Sequence, residues 1–116
     1  MKEAYEALAK NPANFTALTP LSFLKRTADI YGEREAIIYG ERCYTWRQCH
    51  ERCLRMASSL TELGIGKGDT VAVLAFNTPE MFEAHFFVPM TGAVLNTINT
   101  RLDAETLAYI LDFGEV

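Results

Sequence analysis

Apolar residues along the chain recur with two different spacings, and the changes of spacing mark out the elements. After Thr19-Pro20, Leu21, Leu24, Ala28 and Tyr31 repeat at helical intervals. This predicts a helix capped by Thr19 and begun by Pro20, whose missing amide hydrogen costs nothing at that position. Gly32 is read as its left-handed C-cap. Residues 35–39 and 42–45 read as strands joined by Gly40-Glu41, where a leading glycine suits a type II′ turn. Thr45-Trp46-Arg47-Gln48 has capping-box spacing and opens a helix to about Leu63. Its expected buried stripe is Trp46, Cys49, Cys53, Met56, Leu60 and Leu63, with Gly64 as cap and Arg47, Glu51, Arg55 and Glu62 facing outward.

Residues 70–76 are a continuous apolar run, the pattern of a strand inside a parallel sheet. Asn77 ends it, Thr78 caps the next helix and Pro79 begins it. Met81, Phe82, His85, Phe86 and Met90 crowd that helix, and Pro89 kinks or ends it. Residues 93–98 supply a second parallel strand. Asp103 then caps a helix with the stripe Leu107, Ile110 and Leu111, ended by Gly114, after which Glu115-Val116 would begin a third strand. The fold class is therefore α/β: a helix and a hairpin followed by βαβα with parallel strands, incomplete. Residues 1–18 are expected to be a flexible lead-in, with two helical turns over 3–10 broken at Asn11-Pro12-Ala13-Asn14; residues 19–116 are one partial domain.

Composition narrows the function classes. With 49% apolar residues the chain is globular rather than disordered. A formal charge of −4 and no basic patch argue against nucleic acid as a partner. No apolar stretch is long enough to span a membrane, and the acidic N-terminus does not fit a secretory or transit leader. The odd set Cys43, Cys49 and Cys53 points to reduced thiols. Cys49 and Cys53 share one helix face and read as buried small hydrophobes. With His50 turned away, they do not make a metal site. Gly64-Ile65-Gly66-Lys67-Gly68-Asp69 fails both nucleotide tests. Asp69 stands where a dinucleotide fingerprint needs glycine, and Thr61 and Gly68 break a P-loop.

Several short runs together resemble one family. They are Thr45-Trp46, Leu63-Gly64-Ile65 with Gly68-Asp69, Asn77-Thr78-Pro79-Glu80, Gly92-Ala93-Val94, Asn99-Thr100-Arg101-Leu102 and Leu107-Ala108-Tyr109-Ile110-Leu111. With their order of elements they resemble the start of the large N-terminal domain of the AMP-forming acyl-CoA synthetases. The opening from Asn11 to Leu24 is similar to the plant acyl-activating enzymes of the butyrate- or benzoate-CoA ligase type. The resemblance implies a carboxylic acid substrate, and ATP, Mg²⁺ and CoA as cofactors of the full-length enzyme. It also implies a cytosolic or peroxisomal location. The family's phosphate loop, its adenine and ribose contacts and its catalytic lysine have no counterpart in residues 1–116. No catalytic, cofactor-binding or metal residue is therefore assigned, and no cofactor is expected for this chain alone.

Four sets of residues remain as candidates. His85 reads as a packed histidine rather than a general base, since no nucleophile pattern surrounds it. Asn77 and Asn99 lie just past the carboxyl ends of parallel strands, where such sheets place ligands, but read first as turn and cap residues. Arg101 suits an anionic ligand, with pairing to Asp103 or Glu105 as the plainer reading. Phe82, Phe86 and Phe87 are expected to fill the helix–sheet interface. The first functional expectation is a catalytically silent N-terminal fragment of an acyl-CoA ligase. The alternative is a non-catalytic α/β module that associates with a full-length relative through its open sheet edge. The isolated chain is expected to be marginally stable and prone to aggregate, since its sheet lacks partners and its helices lack a second layer. A sharp, reversible, concentration-independent melt of monomer would sink that expectation.

Overall fold

The computed structural model describes residues 11, 13 and 15–116. The helical turns expected over 3–10 lie outside these. The elements run α1 (Pro20–Tyr31), β1 (Glu35–Tyr39), β2 (Arg42–Thr45), α2 (Trp46–Glu62), β3 (Thr70–Leu74), α3 (Pro79–Met90), β4 (Val94–Ile98) and α4 (Ala104–Phe113). β1 and β2 form an antiparallel hairpin with a register irregularity between Glu35 and Ile37. β3 and β4 form a parallel pair, in register from Thr70 opposite Val94 to Leu74 opposite Ile98. The sheets are separate and two-stranded.

The caps explain most boundaries. Thr19 accepts from the Ser22 amide, and the Ser22 hydroxyl accepts from the Thr19 amide. Thr45 and Gln48 make the same reciprocal pair at the head of α2. At its tail, Gly64 N–H donates to the Thr61 carbonyl and Ile65 N–H to the Leu60 carbonyl, a Schellman closure that uses the +91° φ of Gly64. In the Gly66–Asp69 turn, Gly68 has φ +100° and Asp69 accepts from the Gly66 amide. The two-residue hairpin loop has φ +58° at Gly40, as a type II′ turn requires.

Four expectations change. Gly32 is not left-handed: its φ is −50°. It is buried where α1 meets the start of α2, and a Cβ there would stand 2.6 Å from the Ala28 carbonyl oxygen. Glycine is needed for close approach rather than for its free φ. The buried face of α2 is Cys49, Cys53 and Ala57, leaving Met56 at 44% and Leu63 at 79% exposure. Thr78 occupies the N-cap position of α3 without a side-chain cap bond. Glu115 and Val116 do not open a strand; their amides close α4 onto Asp112 and Leu111.

The core lies where α2 crosses α3. Cys49, Cys53 and Ala57 meet Ala84, Phe87 and Val88, with Leu24 of α1 and Ala93 beside them. Val71, Val73 and Leu95 pack onto this cluster from the sheet. The small side chains let the helices approach closely. Replacing Gly32 with Ala is expected to destabilise the fold by about 1–3 kcal/mol, since the Ala28 backbone must move. An unchanged urea midpoint for loss of helical signal would refute this.

Candidate functional site: a two-lobed cleft along α3

α3 is apolar on nearly every side, and the side away from α2 faces two cavities. The first, of about 620 Å³, lies between the hairpin and α3. Ala36, Ile37, Ile38 and Tyr39 form one wall, and Met81, Phe82 and Phe86 the other. Phe82 and Phe86 meet edge to face with centroids 5.4 Å apart. The second, of about 530 Å³, opens at the carboxyl ends of β3 and β4 between the 75–77 and 97–101 segments. Asn77, Met81 and His85 line both cavities. The result is one apolar lobe and one polar lobe sharing a wall.

The second lobe brings together the polar candidates. Asn77 sits inside a tight turn closed by Thr78 N–H on the Phe76 carbonyl at 2.7 Å. Asn99 turns the loop by accepting from the Arg101 amide at 3.0 Å. Both are turn residues and both line the cleft. Among the described residues the Arg101 guanidinium makes no ion pair, so the expected pairing with Asp103 or Glu105 is not found. Asp103 is spent on Thr106, accepting from its amide and hydroxyl, and this holds its carboxyl below the usual range. His85 Nδ1 lies 2.9 Å from the Met81 carbonyl oxygen. A carbonyl only accepts, so Nδ1 carries the proton and a neutral ring keeps its lone pair on Nε2. Phe87 fills the core as expected and Phe86 packs against it, while Phe86 and the more exposed Phe82 also line a cavity.

The hairpin and α3 are tied by arginines that the sequence reading did not single out. Arg42 of β2 meets Glu80 of α3 at 2.7 Å. Arg52 of α2 grips Glu83 with Nε at 2.6 Å and Nη2 at 2.9 Å. Its guanidinium also lies 4.3 Å from the Tyr44 ring centroid and 3.9 Å from Glu80. Hydrogen bonding to Arg42 pulls the Glu80 carboxyl down to about 2, assisted by its own amide and by the Thr78 hydroxyl. Signals for the pair were present: a carboxylate within Met81-Phe82-Glu83-Ala84, and an arginine beside Cys53 on the buried face of α2.

Two of the three thiols are buried, the two that the helix face implied. Cys49 and Cys53 are fully buried, and Cys53 Sγ lies 3.8 Å from the Glu83 carbonyl oxygen. Cys43 is exposed, and local loss of hydration together with its contact with Glu35 pushes its thiol up. Among the described residues no cluster of His, Cys, Asp and Glu stands ready to hold a metal, and no helix is long and apolar enough to cross a membrane.

A parallel βαβ unit with its cleft at the strand ends is the plan of nucleotide- and cofactor-using α/β proteins. Residues 24–116 match the AMP-binding enzyme family along their whole length, and the chain belongs to that family. It is 55% identical over 108 residues to the peroxisomal acetate/butyrate–CoA ligase of Arabidopsis thaliana, covering 93% of this chain and 19% of that enzyme. It is 50% identical over 110 residues to the 2-methylpropanoate–CoA ligase of Humulus lupulus, covering 95% and 20%. The chain thus spans about one fifth of the length of these relatives. Among solved structures it superposes on a putative long-chain-fatty-acid CoA ligase from Rhodopseudomonas palustris with a TM-score of 0.77 at 34% identity, over 81% of this chain and 24% of that one. It also superposes on the Bacillus subtilis O-succinylbenzoate coenzyme A synthetase in complex with ATP and magnesium, with a TM-score of 0.72 at 30% identity, over 78% and 25%.

The depressed Glu80 carboxyl makes stability depend on acid. Because its folded value lies below the unfolded one near 4.5, its contribution is whole above that pH and is lost as pH falls toward about 2. The urea midpoint is expected to fall across this window, and to fall less steeply in Arg42→Ala. Equal slopes for the two proteins would remove Arg42–Glu80 as the cause.

Proposed function

We propose that the chain is the N-terminal part of an AMP-forming acyl-CoA ligase, which joins a carboxylate to CoA while ATP is split to AMP and pyrophosphate. The observation that carries this reading is identity of 50% or more to acyl-CoA ligases over nearly the whole chain. In this reading residues 19–116 belong to the nucleotide-binding domain and 1–18 lead into it. The location is cytosolic or peroxisomal, by analogy with relatives named as peroxisomal.

The residues present divide the cofactors. Arg101, with no carboxylate partner among the described residues, suits a phosphate of ATP or CoA, with Asn77 and Asn99 beside it. Magnesium does not fit here: among the described residues no carboxylate lines the cleft, and the nearby Glu80 and Glu83 are both engaged by arginines. The chain contributes a phosphate-facing wall, and the chemistry of adenylation falls to residues beyond these 116. A second reading, association through the open edges of the β3–β4 sheet, is favoured by the exposure of Leu74, Phe76 and Val94.

The test is a graft. Residues 1–116 replace the matching segment of the acetate/butyrate–CoA ligase, and ATP–pyrophosphate exchange and acyl-CoA formation are measured beside the isolated chain. The isolated chain is expected to be silent and the graft active. Arg101→Ala in the graft is expected to raise KM for ATP or for CoA about tenfold, matching the loss of one charge-assisted contact. An inactive but folded graft, or exchange by the isolated chain above a heat-killed blank, would overturn the reading.

A further inference from the structure

We propose that Arg52 is a positioning residue for the cleft: its grip on Glu83 fixes the rotation of α3, and so the place of Met81 and His85 in the lobe that Arg101 lines. The kinetic arm of the test below rests on the ligase reading; the binding arm does not.

Three observations carry the inference. Glu83 is 2% exposed, and both of its oxygens are met by Arg52, so the side chain has a single seat. Arg52 is itself constrained, stacked on Tyr44 and within reach of Glu80, so it does not readily follow a turning helix. Finally, Met81, Phe82, Ala84, Phe86, Phe87 and Val88 spread apolar surface around α3. Apolar packing alone therefore specifies its rotation weakly, since several rotations bury similar surface. A buried polar pair selects one of them, the use of buried polar groups for which the evidence is best. Met81 and His85 stand two residues either side of Glu83. A rotation by one residue step, about 100°, would take them off the wall shared by the two lobes.

In the active graft, Arg52→Met with Glu83→Leu replaces the pair by apolar side chains. Such replacements hold or raise thermal stability. The expected result is a melting temperature at or above that of the unsubstituted graft, with KM raised about fivefold or more for whichever of ATP and CoA responds to Arg101→Ala, and kcat within about twofold. An unchanged KM would mean that the pair only holds the fold, and would overturn the proposal. Should the double variant melt early, Arg52→Lys decides, because it keeps the charge and loses the two-pronged contact. A raised KM at the original melting temperature supports positioning, and an unchanged KM overturns it. If the unsubstituted graft is inactive, the ligase reading fails and binding decides instead. Inorganic phosphate is titrated into the 116-residue chain while the Asn99 and Arg101 resonances are followed. Binding weakened about fivefold in the double variant supports the proposal, whereas equal binding, or none in the unsubstituted chain, overturns it.

Discussion

Glu83 stands in an apolar stretch of α3 and is 2% exposed, and both of its carboxylate oxygens are met by Arg52. An unpaired charge in that place is costly: removing one partner of such a pair destabilises by about 3–5 kcal/mol. That is a large share of a domain's total of about 5–15 kcal/mol. The arginine comes from α2 and the glutamate from α3, so the pair spans the helix crossing that forms the core. Through Tyr44 and Glu80 the same guanidinium also reaches the hairpin. At that crossing Cys49, Cys53, Ala57 and Ala84 supply small side chains beside Leu24, Phe87 and Val88.

Local chemistry was legible where a residue's partner lies three or four positions away. The Thr45–Gln48 capping box, the Gly40 turn, the Gly64 closure and the Asp103 cap all appear as the sequence implies. Each is satisfied within its own turn, so spacing alone specifies it. Gly32 was misread because two demands favour glycine. A helix end suggested free φ, while the real requirement is room beside the Ala28 carbonyl and beside the Arg47 side chain, which comes fifteen residues further on. Likewise Met56 fits the helical stripe as well as Ala57 does. What excludes it is the close approach of α3, which no local pattern reports.

The cleft was legible in part for the same reason. Asn77 and Asn99 follow from strand ends and lie where a parallel sheet presents ligands. That no described carboxylate pairs with Arg101 was not legible, because Asp103 had two claimants, Arg101 and Thr106, and Thr106 holds it. The arginine–glutamate ties span 38 and 31 residues. A charged residue inside an apolar helix signals that such a tie exists without naming its partner.

The three thiols make the chain its own reporter of internal motion. Cys43 stands in solvent, whereas Cys49 and Cys53 lie fully enclosed beneath α3. An alkylating reagent therefore meets one sulfur in the closed molecule and the other two only when α2 and α3 part. The slow component of labelling, followed by mass, is a clock on that parting, and its rate measures how often the helix crossing opens without any added probe.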